Sequence, residues 1–391
     1  MTVASSAIAP AGQPWRRHTI DNTSRGADGV RLADINGDGL LDVATGWEEG
    51  GRVRVYFHPG HERASLPWPA VTVGRVASPE DAVPVDLDGD GTLDIVSACE
   101  GSTRSLFVHW APADHQRLLD ETAWTTEPIP AGPDRQMWMY TLPLQVGGHS
   151  GIDLVVGSKG QGGSIGWLES PAEPRRLDAW RWHRLYDAGW IMSLEAEDVD
   201  GDGDTDVVAS DRKGPTRGVL WLENPGADRV TKSWPIHRIG GDRLEVMFLS
   251  VSDLDGDGRR DIVAATRNNG LIYFRRLAGD KPRWQPHEIA FPPGTGLGKA
   301  VGVGDVDRDG ARDLVLVTAV ADPPKQGLVW MSFRDSPTDP EWDAHPISGP
   351  EGIKFDRVEL IDLDGDGDMD AMTCEERTNL GVIWYENPTV P

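Results

Sequence analysis

The stretch Asp34-Ile35-Asn36-Gly37-Asp38-Gly39-Leu40-Leu41-Asp42 returns five more times along the chain and sets the period of everything else. The copies place carboxylates at positions one, three, five and nine: Asp86, Asp88, Asp90, Asp94; Asp198, Asp200, Asp202, Asp206; Asp253, Asp255, Asp257, Asp261; Asp305, Asp307, Asp309, Asp313; and Asp362, Asp364, Asp366, Asp370. Glycine stands at position six of every copy, where the chain must turn sharply. Ca²⁺ takes six to eight oxygens at roughly 2.3–2.6 Å, and closely spaced carboxylates with a backbone carbonyl at position seven supply them. No Glu stands at position twelve, and position nine runs on into Val43-Ala44-Thr45 or Ile95-Val96-Ser97, a buried strand rather than a helix. The loops therefore join strand to strand, and about six structural calcium ions are expected.

A second signature runs in phase: Trp, often His three residues on, then an aliphatic residue. It occurs at Trp15/His18/Ile20, Trp68/Val71/Val73, Trp124/Glu127/Ile129, Trp180/His183/Leu185, Trp234/His237/Ile239, Trp284/His287/Ile289 and Trp342/His345/Ile347. Short strands after turns form a third series, from Val53–Phe57 to Val382–Tyr385. Successive Trp residues lie 50 to 58 residues apart with four short strands in each interval, which is the arithmetic of a propeller. The expectation is an all-β, seven-bladed propeller with four strands per blade, occupying 13–391 after a tail at 1–12. The blades fall at 21–73, 74–129, 130–185, 186–239, 240–289, 290–347 and 348–391, the last completed by 13–20. Pairing the N-terminal strand with the last three strands closes the ring and covers edges that would otherwise be exposed. Repeat three lacks the ion loop, with Gln145, Gly147 and His149 at the first three oxygen positions, although Asp153 and the strand Leu154-Val155-Val156 remain. A Trp or His that recurs in every blade reads as packing rather than as a ligand.

The formal charge of −25 would suggest a basic partner, but the six loops alone hold 23 carboxylates at their four key positions. No basic face offers itself to phosphate, so nucleic acid is excluded as a partner. No run of 18 apolar residues exists, so no membrane span is expected. Cys99 and Cys374 occupy matching places in non-adjacent repeats, and no disulfide between them is expected. Met1–Gly12 reads as a signal remnant or a disordered tail. Loops of this kind suit millimolar extracellular calcium, so a secreted or periplasmic monomer is expected.

With the loops and their strands in view, the chain from Trp15 to Asn387 resembles the FG-GAP or VCBS repeats of integrin-type seven-bladed propellers. The resemblance implies Ca²⁺ at the six loops and none at Gln145–Asp153. A shorter stretch, Gly218-Val219-Leu220-Trp221-Leu222-Glu223-Asn224-Pro225, resembles part of the propeller of aldos-2-ulose dehydratase. Propellers of this type include adhesion receptors, lectins, polysaccharide lyases and dehydratases, so the resemblance leaves activity open.

The face opposite the ion loops varies from blade to blade. Six residues before each loop stand Asp28, Glu80, Met192, Met247, Lys299 and Asp356. Aromatics and methionines from blades three to five, including Trp138, Tyr140 and Trp190, face charged residues from blades six, seven, one and two. An apolar wall facing convergent charges is the usual composition of a small-molecule site. Turns on the same face add Glu48, Glu100, Lys159, Arg212, Arg267, Glu376 and Arg377, with Glu245 just ahead of blade five. The leading expectation is a lyase, dehydratase or cyclase in which Lys299 and one of Asp28, Glu80 or Asp356 move a proton. A carbohydrate or other small ligand would lie against Trp138, Tyr140, Trp190, Met192 and Met247, held by Glu245, Arg212 and Arg377. Lys299 has either role in such chemistry, its pKa lowered by burial or held high by the carboxylates. The alternative is a lectin or adhesion module without catalysis, with sites between blades.

Overall fold

The computed structural model describes residues 12–130, 132, 136–148 and 151–389. The tail 1–11 and His149 lie outside the described residues. Within them, 28 strands form seven four-stranded antiparallel sheets. Blade one is Ala27–Ala33, Asp42–Trp47, Arg52–Tyr56 and Ala70–Gly74; blade two is Pro79–Val85, Asp94–Cys99, Leu106–Trp110 and Thr125–Ile129. Blade three is Met137–Leu144, Asp153–Lys159, Ser164–Glu169 and Arg181–Asp187; blade four is Ile191–Glu197, Asp206–Asp211, Gly218–Leu222 and Ile236–Gly240. Blade five is Val246–Ser252, Asp261–Thr266, Leu271–Arg276 and Trp284–Ile289; blade six is Leu297–Gly304, Asp313–Ala319, Leu328–Ser332 and Asp343–Pro346. Blade seven is Phe355–Ile361, Asp370–Glu375 and Gly381–Glu386, completed by the N-terminal strand Arg16–Asp21. The ring closes as its terminal signatures require.

Each blade has one buried spine. The second strands, such as Asp42–Trp47 and Asp261–Thr266, are buried along their whole length, whereas outer strands such as Arg181–Asp187 are largely polar and half exposed. That gradient is the composition expected of a sheet with neighbours on both faces near the axis and water at its rim. Apolar clusters run between successive blades, with Trp167 and Trp234 buried in one and Trp47 and Trp384 in another. The signature Trp and His pack, but not on each other: Trp180 and Trp234 are buried, while His183 stacks on the third-strand Trp167 at 4.5 Å, His237 on Trp221 at 4.2 Å and His345 on Trp330 at 4.0 Å. Both cysteines are buried and free.

The position-nine aspartate has a role in the fold that no ion explains. Asp42 accepts the amide of Ile35 in its own loop at 2.9 Å and that of His58 past the third strand at 2.8 Å. Asp206 does the same with Val199 and Asn224, and Asp370 with Leu363 and Asn387. One carboxylate thus staples loop, second strand and third strand. Blade three keeps this staple, Asp153 accepting from Val146 at 3.0 Å and from Ser170 at 2.8 Å. The blade that has lost the other loop carboxylates retains the one aspartate that its backbone needs.

Candidate functional site

Every innermost strand carries a register shift at the end away from the ion loops. The shift lies between Pro79 and Asp81, Trp138 and Tyr140, Ile191 and Ser193, and Gly298 and Ala300, with longer irregularities spanning Asp28–Arg31, Val246–Leu249 and Phe355–Val358. A bulge re-aims the side chain of its extra residue. The seven bulges coincide with the column Asp28, Glu80, Met139, Met192, Met247, Lys299 and Asp356. A second ring lies at the exit of each second strand: Glu48, Glu100, Lys159, Arg212, Arg267, Ala319 and Glu376. All of these but Asp356 and Glu376, which lie behind Lys299 and Lys354, line a cavity of about 280 Å³ at the channel mouth, together with Trp190, Lys354 and Arg377.

The cavity is zoned. Blades three to five give a floor of three methionines beneath Lys159, Arg212 and Arg267, while blades seven, one and two give an acidic wall. Beside that wall, in blade six, the Lys299 ammonium lies 2.8 Å from the Asp356 carboxylate; the aspartate is fully buried and the lysine 12% exposed. Burial opposes the Lys299 charge, but Asp356, Asp28 and Glu376 outweigh it and raise the pKa above the usual lysine value. Burial likewise opposes charge on Asp356, yet Lys299 first, and the neighbouring Asp28, hold it below the usual range. Asp28 shifts in the opposite direction: burial, then the charges of Asp356, Glu376 and Glu80, push its pKa well up. Glu376, buried near Lys299 and Asp356 and paired with Lys354, is pushed up to about 7. Glu80 is also raised, by burial, although Lys159 lies 3.8 Å away.

The remaining sequence candidates fall into different places. Trp190 lines the cavity, but Arg212, Lys159 and Lys213 lie over its ring at 4.3, 4.6 and 4.7 Å. Its π surface is engaged by cations rather than open to a stacked ligand. Arg212 also pairs with Glu245 at 2.6 Å, which places Glu245 at the rim as a counter-ion. Trp138 is buried between blades two and three against Trp182, off the mouth, because the bulge sends its neighbour Met139 into the channel instead. Tyr140 lies deeper: its hydroxyl accepts from Arg357 at 2.5 Å and lies 3.4 Å from Glu195, while Arg31 rests on its ring at 4.1 Å. Arg31 is held in turn by two 2.8 Å bonds to Asp81. This layer, drawn from blades one, two, three, four and seven, crosses the channel and leaves a separate cavity of about 430 Å³ toward the ion loops. Met139 and Lys354 are mouth residues to which sequence reasoning gave no role; Met139 was legible as the residue six before the degenerate loop.

On the opposite face the loop carboxylates converge. Ligand oxygens of Asp86, Asp88 and Asp90 lie within 4.8 Å of one another, as do those of Asp198, Asp200 and Asp206 and those of Asp253, Asp255 and Asp261. Asp34 accepts the amides of Gly37, Asp38 and Gly39, which fixes the turn with its carboxylate facing inward. The set is all oxygen and suits a hard cation.

Comparison with known proteins agrees with this architecture. The FG-GAP-like repeat family model matches residues 34–97 and 253–316. Human integrin alpha-IIb is 26% identical over 239 residues, covering 52% of this chain and 22% of that protein; the mouse protein is 25% identical over 228 residues, covering 51% and 21%. The chain thus spans about a fifth of the length of these curated relatives. Among solved structures, an Agrocybe aegerita lectin described as recognising non-reducing terminal N-acetylglucosamine superposes with a TM-score of 0.50 at 15% identity, over 82% of this chain and 80% of that one. BBS1N, solved in complex with ARL6DN, superposes with a TM-score of 0.55 at 8% identity over 95% and 98%. These two show a shared fold.

Proposed function

We propose that this chain, which belongs to the FG-GAP-repeat propeller family, binds a small polar ligand or sugar at the channel mouth and carries out acid–base chemistry there, of the lyase, dehydratase or cyclase kind. The observation that carries this reading is the buried Asp28–Asp356–Lys299 cluster opening on the 280 Å³ cavity. Three linked titratable groups, two with the pKa pushed up and one with it pushed down, are costly to bury, and such clusters concentrate where chemistry is done. The repeats of the family fit a ligand-binding or adhesion module in the coarse sense; the catalytic reading is the finer step.

In an elimination, the proton on the carbon next to a carbonyl or carboxylate passes to Glu376, whose pKa near 7 suits a base at neutral pH. The C–H electrons form the new double bond as the carbon–oxygen bond at the next carbon breaks. The departing oxygen takes the proton of Asp28, giving water or an alcohol. Lys299 stays charged and stabilises the negative charge that develops on the carbonyl or carboxylate oxygen as the C–H bond breaks, with Asp356 as its fixed counter-ion. Arg212, Arg267, Lys159 and Arg377 orient the anionic or hydroxyl groups of the ligand above the methionine floor. The test is a panel of polysaccharides, uronic acids and keto sugars, with ultraviolet absorbance reading a new conjugated double bond. Turnover that survives Asp28→Asn and Glu376→Gln would refute the assignment.

We also propose Ca²⁺ as the structural ion of the loops, held by the carboxylates at positions one, three and five, and a secreted or periplasmic setting that supplies it. The ion would neutralise the loop and fix its turn, taking no part in the chemistry on the far face. Among the described residues no helix is long and apolar enough to cross a membrane.

A second reading, a lectin, has its own observation in favour. A groove of about 970 Å³ between the outer strands of blades four and five is lined by Trp221, Trp284, His237, Arg238, Asp202 and Arg283, a mixture of ring and polar groups suited to a sugar. Glycan binding abolished by Trp284→Ala and unaffected by Lys299→Met would favour it.

A further inference from the structure

In blades three, four and seven the residue two past the third-strand Trp is Glu, and it pairs with the fourth-strand His: Glu169 with His183 at 2.8 Å, Glu223 with His237 at 2.7 Å and Glu386 with His18 at 2.6 Å. In blade five the same place is Arg275. The exchange alters both of its neighbours. His287 loses the carboxylate its sisters have, and its Nε2 is buried without a hydrogen-bond partner. The guanidinium turns the other way, into the acidic loop of its own blade, with Nε 2.5 Å from Asp255 and a terminal nitrogen 3.7 Å from Asp257. Arg259, at position seven of that loop, also closes on Asp257.

The position-three and position-five carboxylates of blade five therefore already carry two guanidinium groups. A calcium ion among them would face two guanidinium charges within a few ångströms, a repulsion that the ion's double charge doubles. The sister loops are arranged oppositely. In blades four and seven the place of Arg275 is held by Glu223 and Glu386, which add negative rather than positive charge beside Asp200 and Asp364. Blade two differs again: Arg175 reaches Asp88 at 2.5 Å, but from a surface loop of the neighbouring blade and 52% exposed, whereas Arg275 and Arg259 belong to the loop's own blade and are 38% exposed.

We infer that the loop of blade five takes no calcium: Arg275 replaces the ion as an internal counter-charge, so the chain holds at most five ions although six loops carry the motif. The family match spans this very loop, at residues 253–316, so the inference departs from what the motif alone implies. It rests on the calcium reading of the sister loops.

The test counts calcium bound per chain by plasma mass spectrometry after desalting, in the wild type and in Asp200→Asn, Asp255→Asn and Arg275→Glu. Asp200→Asn loses one equivalent, Asp255→Asn loses none, and Arg275→Glu, which restores the residue of the sister blades, gains one. Loss of one equivalent in Asp255→Asn, matching Asp200→Asn, overturns the inference. A count unchanged in both overturns the calcium reading on which it rests.

Discussion

His18 and Glu386 stand 368 residues apart, yet the histidine Nε2 lies 2.6 Å from the glutamate carboxylate. The His18 ring also stacks on Trp384 at 4.3 Å, so one side chain from the N-terminal strand engages two from the last. The same His, Trp and Glu recur within blades three and four, where they join neighbouring strands. In blade seven they join the two ends of the ring, and His18 is buried where His237 is 42% exposed. His18→Ala should cost about 2 kcal/mol in urea denaturation and His237→Ala less than half of that. Equal losses would mean that closure adds nothing to this contact.

Chelation should lower the melting temperature, because ions that bind only the folded state stabilise it by mass action. The position-nine staples are made to backbone amides and do not need the ion, so the apo protein should still melt cooperatively as a β fold. Superimposable melts in EDTA and in calcium would remove calcium from the account.

Acid should destabilise the protein through His109. It is fully buried between Ser97 and Thr126, each bonded at 2.9 Å, and burial lowers its pKa to about 3. The unfolded chain takes up a proton near the ordinary value of 6.5 that the folded chain refuses until about 3. Its contribution is thus complete above about pH 6.5 and is lost as pH falls toward 3, with a slope of about 1.4 kcal/mol per pH unit. His109→Gln should remove one proton's worth of that slope in denaturant titrations between pH 6 and 4; an unchanged slope would show that His109 does not titrate on unfolding.

Turnover should rise with pH through about 7, as the Glu376 carboxyl gives up its proton and becomes a base. Glu376→Gln should be slow and flat across that range. Lys299→Arg, which keeps the charge but not the shape, should retain the pH profile at a reduced kcat. A wild-type profile flat from pH 5 to 9 on an identified substrate would exclude Glu376 as the base.

The blade count, strand order and ring closure were legible because each rests on a period that the chain repeats. Much of the mouth was legible for the converse reason: at one register position the residue type fails to repeat, as Lys299, Asp28 and the methionines show. The part that sequence did not reveal depended on a single-residue slip. Trp138 and Met139 are adjacent, and only the bulge between Trp138 and Tyr140 decides which enters the channel. Trp190 looked open because nothing in its spacing tells that three cations, from its own blade and its neighbour, cover its ring. The protonation of Lys299 was equally hidden, since it depends on how closely Asp356 and Asp28 approach it. The third-strand Arg275 that reaches into the blade-five loop was written in the sequence as a break in the Glu169, Glu223, Glu386 column, visible once strand register aligned the blades.

The most direct test is a crystal structure of the protein grown with a pool of small sugars and sugar acids, read for density at the channel mouth. The account predicts a bound molecule between the Asp28–Lys299 wall and the Arg212–Arg267 side, with Met139, Met192 and Met247 beneath it. A mouth closed by its own ion pairs, with a sugar seated in the groove beside Trp284 instead, would contradict it.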